Sequence, residues 1–340
     1  MNHRLFVSGH LVAALLMMGL VGATPVRAQS PDSSPANAYT PPRTPDGQPD
    51  LQGFWTNSTY TPLERPDGVT TEFYTPEGVA ETEARAGARE AEQTVPGTIP
   101  DVHYDFTQFG LDRSQTTMAR SLRTSLIVDP PDGRMPAMTE EGRRRVARRE
   151  EEARLRGGRW DSAENNQLDD RCLIMRTAGP PMLNTSYNSN YQIVQAPGYV
   201  MILVEMIHDV RIIPLDGRPR PNPRVRKWMG TSRGRWEADT LVVETSGFNG
   251  KNPFNGSSEN MSVIERFTRI DDDTILYNFT IDDESTWTQP WSAGLSMKKI
   301  QGPIFEHACH EGNYSMYNTL VGARLEEQLA AEEAAKQEPN

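Results

Sequence analysis

The side chains best suited to acid–base chemistry sit in one stretch. Glu205, His208, Asp209 and Arg211 interrupt VMILVEMIHDVRIIP, the most apolar run beyond the first thirty residues. A carboxylate among Leu and Met must be solvated, paired or put to use, because burying a bare charge costs several kcal/mol. A carboxyl on an apolar wall has its pKa raised, which suits proton transfer near neutral pH. Side chains alternate across a strand, so Met201, Leu203, Glu205 and Ile207 share one face of a strand expected over 199–207. Asp209 and Arg211 fall on the same face, whereas His208 faces the other way unless a bulge realigns it. The candidate catalytic residues are Glu205, His208 and Asp209, with Arg211 as a substrate-binding group. The same spacing also permits a purely structural Glu205–Arg211 pair.

Glu265-Arg266 repeats the theme of charge within an apolar strand. One of the two must point inward if either face is buried, and a cross-strand ion pair is the favoured reading. Glu265, Tyr277, Trp228 and Trp236 complete the candidate substrate-binding set, although aromatic side chains line pockets and cores alike. His307-Ala308-Cys309-His310-Glu311 has metal-binding residue types, but its spacing matches no zinc motif, and on a strand positions three apart face opposite ways. No metal is expected there. The chain has no Gly-x-Ser-x-Gly elbow. Gly230-Thr231-Ser232-Arg233-Gly234 reads as a loop that lacks the lysine of a phosphate-binding loop. No cofactor is therefore expected.

These residues need strands to position them. Runs rich in β-branched and aromatic residues, cut by turn formers, predict strands over 191–195, 199–207, 210–214 and 240–245. Pro197-Gly198 and Asp216-Gly217 supply the turn chemistry. Further strands are expected at 123–128, 261–269, 274–282, 291–300 and 303–309, the later ones as an up-and-down meander. Helices are expected over 76–93, over 139–157 with Thr139 as N-cap, and near the C-terminus. The Arg143-Arg144-Arg145 and Arg148-Arg149 runs alternate with acids and read as a solvated face. The fold expected is mainly β: an antiparallel barrel or curled sheet with accessory surface helices and a C-terminal helix.

The first 28 residues read as a secretory signal, with basic Arg4, an apolar run and a Val26-Arg27-Ala28 cleavage site. A Pro/Ser/Asp/Thr-rich linker over 29–49 precedes a single β-rich domain over 50–318 and a charged tail over 319–340. No later apolar run is long enough to span a membrane. The net charge of −11 becomes more negative once the signal is removed, which argues against nucleic acid and anionic membranes as partners. Export makes a disulfide between Cys172 and Cys309 the expected state. In the chain-entropy model such a long loop gives roughly 5 kcal/mol at most.

Gly53-Phe54-Trp55 on the first strand resembles the Gly-x-Trp signature of lipocalin-like barrels. Longer phrases, including DLQGFW, TSLIVDPPDGR, EMIHDVRIIPLDGRP and RGRWEADTLVVET, resemble a large family of secreted bacterial proteins with no established common reaction. That resemblance runs through most of the mature chain. It implies an exported, periplasmic or secreted protein with a lipocalin-like domain, and it implies no particular reaction. The functional expectation is an acid/base enzyme of lyase, isomerase, cyclase or hydrolase type acting on a small apolar or aromatic natural product. The alternative is a non-catalytic periplasmic carrier of such a molecule.

Overall fold

The computed structural model describes residues 39–90, 117–184 and 188–337. The expected signal lies outside the described residues. Most of the fold is one large sheet, with strands β1 (Gly53–Thr56), β2 (Ile127–Asp129), β3 (Asn190–Ala196), β4 (Tyr199–Val204) and β5 (Val210–Pro214) in its first half. The second half contributes β6 (Thr231–Glu237), β7 (Thr240–Ser246), β8 (Ser262–Arg269), β9 (Thr274–Asp282) and β10 (Trp291–Ile300). The strand order is β5-β4-β3-β1-β10-β9-β8-β7-β6, and β2 pairs separately with β10.

Every neighbouring pair along this path is antiparallel. Nine strands joined in this way leave the first and the last, β5 and β6, running in the same direction. The sheet curls until these edges approach, and side chains rather than a backbone ladder bridge them. Arg211 Nη2 donates to Ser232 Oγ at 3.3 Å across the seam. Ile213 and Leu215 crowd the Cα of Gly234 so closely that an added Cβ would lie 2.7–2.9 Å from their methyl groups. Of the two expected forms, the curled sheet is the one observed; the sheet does not close into a barrel.

Alternation sets the core. Val200, Ile202 and Val204 are buried on β4, and Val263, Glu265 and Phe267 on β8. Trp55, Tyr191, Phe267, Tyr277, Phe279 and Trp291 are the largest fully buried side chains. Burying each aromatic ring contributes about 1.5–3 kcal/mol. Trp55, from the Gly-x-Trp phrase, donates its indole N–H to the Leu51 carbonyl at 3.0 Å, so its polar edge is satisfied inside the core.

Turn chemistry fixes the hairpins. Gly198 takes φ 78° between β3 and β4, which Gly adopts without a Cβ penalty. At the β8–β9 turn, the Arg269 guanidinium gathers the carbonyls of Asp271, Asp272 and Asp50.

Three helices occur among the described residues: α1 (Pro76–Glu90), α2 (Glu140–Leu155) and α3 (Tyr314–Gln337). The Thr139 hydroxyl caps α2 by accepting from the Gly142 N–H at 3.0 Å, satisfying one of the free first-turn donors. The arginines of α2 do not all face solvent as expected. Arg149 binds the Ser257 and Gly250 carbonyls, and Arg145 binds the Gly256 carbonyl and the Thr286 hydroxyl. Residues 42–50, within and just beyond the stretch read as linker, form a short turn. It is closed by the Asp50 N–H to the Pro42 carbonyl at 2.8 Å and anchored to β3 by Gln195.

Four elements depart from the sequence reading. The strand expected over 123–128 is reduced to Ile127–Asp129. The strand expected over 199–207 stops at Val204. The 230–234 segment, read as a loop, is the start of strand β6. Residues 303–309 form no strand; a disulfide rather than a ladder holds them. Cys172 and Cys309 are bonded, with 5.7 Å between their Cα atoms and 137 residues of separation. Asn313 adds a 2.8 Å bond to the Asp170 carbonyl beside the bridge. No helix among the described residues is long and apolar enough to cross a membrane.

Candidate functional site

The turn from β4 into β5 decides what the acidic stretch can do. Glu205 adopts helical backbone angles, φ −62° and ψ −48°, and ends the strand. Ile207 and His208 then take positive φ, 58° and 47°. For β-branched Ile207 this is a strained conformation, costing on the order of 1–3 kcal/mol. The Val204 N–H closes the turn onto the Asp209 carbonyl at 2.9 Å. Strict alternation fails across these residues, and the four candidates separate.

Glu205 is buried and faces β3. Its N–H donates to the Asn190 carbonyl at 3.0 Å, and its Oε2 accepts from Asn190 Nδ2 at 2.9 Å. It is absent from the lining of the cleft that Asp209 and Arg211 share. No bulge turns His208 inward: its side chain is exposed, with Nδ1 3.4 Å from the His307 carbonyl. The expected joint lining of one cavity by Glu205, His208, Asp209 and Arg211 is therefore corrected to Asp209 and Arg211 alone.

Those two line a cleft of about 820 Å³ at the seam between β5 and β6. Its apolar wall includes Tyr199, Val210, Ile212 and Trp228, and Ile212 is 63% exposed, unusual for a side chain of its type. Three buried polar atoms on residues of this cleft have no hydrogen-bond partner among the described residues: Asp209 Oδ2, Arg211 Nε and Thr231 Oγ1. Buried polar atoms are nearly always partnered, so three on residues of one cleft mark it out. Burial pushes the Asp209 carboxyl up to about 6, against the pull of nearby His208. Burial also lowers the His307 pKa, and the charge of His208 lowers it further.

Behind the cleft lies an ionic core. Arg211 Nη1 donates to Glu265 Oε1 at 2.9 Å, and its Nη2 bonds the other oxygen, giving a two-pronged pair that is almost fully buried. Tyr277 donates to Glu265 Oε1 at 2.8 Å and accepts from the Met182 N–H at 2.9 Å. Burial works against the Arg211 charge, but the Glu265 carboxylate more than offsets it, so the guanidinium pKa is raised. Burial, reinforced by the Glu265 charge, holds the Tyr277 phenol well above its ordinary range. The arrangement ties edge strand β5 to β8 and β9 across the curled sheet. It is the structural ion pair expected of Glu265, formed with Arg211 instead of a residue on an adjacent strand. Arg266 points outward to Glu237 at 2.7 Å.

The remaining candidates divide. Trp228 lines the cleft, whereas Trp236 packs partly buried against the core. Glu265 and Tyr277 lie behind Arg211, out of the cleft lining. Cys309 is committed to its disulfide and cannot ligate metal. Among the described residues, no group of three or more His, Cys, Asp or Glu is placed to hold a metal ion.

Sequence reasoning missed Thr231 and Ser232, because Gly230 and Gly234 made their segment read as a loop. The available signal was the hairpin turn Ala238-Asp239, flanked by Trp236 and by Leu241-Val242-Val243. No family model matches this chain, and no curated protein or solved structure matches it.

Proposed function

We propose that the chain binds a small, partly apolar molecule in the β5–β6 cleft and exchanges a proton with it through Asp209. The observation carrying this reading is the set of buried polar atoms without protein partners, Asp209 Oδ2, Arg211 Nε and Thr231 Oγ1, on residues of one partly apolar cleft. A few polar groups in an otherwise apolar concavity are what fix a small ligand's orientation. A carboxyl whose pKa is near 6 divides its time between acid and base near neutral pH, as proton transfer requires. Arg211 is locked to Glu265 through both terminal nitrogens, and its buried Nε–H has no partner among the described residues. The reading fits an exported acid/base enzyme of lyase, isomerase or hydrolase type, with Asp209 as its proton-transfer group and Glu205 and His208 outside the reaction.

A carrier without catalysis is the second reading. The observation in its favour is that only one of the three expected catalytic groups lines the cleft. Thermal-shift hits from a library of small aromatic and alicyclic compounds, incubated with wild-type and Asp209→Asn protein and followed by mass spectrometry, separate the two. Conversion by the wild type and loss of conversion in the variant supports the enzyme. Hits that bind both proteins and emerge unchanged support the carrier. Equal conversion by both proteins would remove Asp209 from the chemistry.

A further inference from the structure

A second cavity, of about 410 Å³, adjoins the first, and the two share Ile174 and Trp228 as walls. The second is lined by apolar Phe248, Phe254 and Met261 and by two cations, Arg176 and Lys251.

The cations around the two cavities fall into two groups. Arg218 is neutralised by both Asp216 oxygens, Arg226 by Glu259 and Arg211 by Glu265. Lys227 and Arg233 in the first cavity, and Arg176 and Lys251 in the second, make no ion pair among the described residues. Arg233 reaches only the Gly217 carbonyl at 3.3 Å, and the Arg176 guanidinium lies 5.8 Å from the centre of the Phe254 ring. Each cavity therefore presents two uncommitted cations. One carboxyl opposes them in each: Asp209 in the first and Asp169 in the second. This positive lining belongs to a chain with a net charge of −11, so an anion would be drawn to the cleft in preference to the surrounding surface.

We infer that the ligand is an elongated organic dianion, with one anionic group held near Lys227 and Arg233, the other near Arg176 and Lys251, and a flat ring segment crossing Trp228 between them. The inference rests on the proposed ligand cleft and extends it by naming the ligand's charge and shape. Trp228 is 37% exposed, which leaves its ring open to a flat partner, and offset stacking on an aromatic face favours such a segment. Charge-assisted contacts at both ends fix the ligand's length as well as its sign.

The test uses the whole chain and linear aryl dicarboxylates of one, two and three rings, each beside its monocarboxylate and its neutral amide, by isothermal titration. The expected result is that one dicarboxylate binds about tenfold tighter or better than its monocarboxylate, the order of one added charged contact. The advantage should shrink at high salt. The double variant Arg176→Gln/Lys251→Gln should abolish it, bringing the diacid to the affinity of the monoacid. Diacids no tighter than monoacids, or an advantage that survives in the double variant, would overturn the two-cavity inference and leave the ligand cleft standing. Amides as tight as the acids would overturn the anionic assignment in the same way. No binding by any compound of the series, acid or amide, would count against the inference and the cleft together.

Discussion

Asp209 is where chemistry and stability meet. Its carboxyl titrates near 6, above its ordinary value of 3.8, so the folded protein holds this proton more tightly than the unfolded chain does. Stability from that proton is fully present at low pH and is lost as pH rises through about 6. Asp209→Asn removes the titration. The melting temperature of the variant relative to wild type should therefore rise between about pH 4 and pH 6 and level off above. A difference that stays flat with pH would show that the carboxyl is not shifted. Glu265→Gln leaves the Arg211 charge buried without its partner and should cost about 3–5 kcal/mol in urea denaturation. A loss under 1 kcal/mol would mean the pair is not desolvated. At this scale the sequence disclosed that charge in an apolar strand had to be resolved and that one of Glu265 and Arg266 had to point inward, without saying which. It did not reveal which carboxyl reaches the cleft, because that depends on backbone angles. Helical Glu205 and left-handed Ile207 and His208 carry no glycine to announce them.

At the scale of elements, the two edge strands make the cleft. β6 begins at a tight corner: Gly230 has φ 65°, and an added Cβ would lie 2.8 Å from the Ser246 carbonyl oxygen. Because that neighbour is backbone, it cannot swing aside. Gly230→Ala should cost about 1–3 kcal/mol and should weaken ligand binding by displacing Thr231 and Ser232. Urea denaturation together with titration of a bound ligand checks both, and unchanged stability would place the corner elsewhere. The strands from β7 to β10 were legible because alternation is clean and Asp271-Asp272-Asp273 breaks it at one point. β6 was not, since its polar and glycine residues are tolerated by pairing with β7 on one side only. The 303–309 segment has strand-like composition but finds no pairing partner, and composition cannot supply one.

For the molecule as a whole, an odd number of antiparallel strands leaves the edges β5 and β6 pointing the same way, and the seam between them becomes a place to bind. The Cys172–Cys309 bridge holds one wall of that place, since Leu173 and Ile174 follow Cys172 directly into the cleft lining. Replacing both cysteines by Ala should lower stability by roughly 2–5 kcal/mol and should weaken ligand binding. Stability loss with unaltered affinity would separate the bridge from the cleft. The bridge and the mainly β class could be read from the sequence. The open seam could not, since it arises from strand order and parity and belongs to no single segment. Hydrogen–deuterium exchange locates the bound ligand most directly. The chain is compared with and without an organic acid selected by thermal shift. Exchange should slow in Val210–Pro214 and in residues 230–233. Protection confined to residues 59–62 and 118–123 around the separate small cavity beside α1, with none at the seam, would contradict binding there.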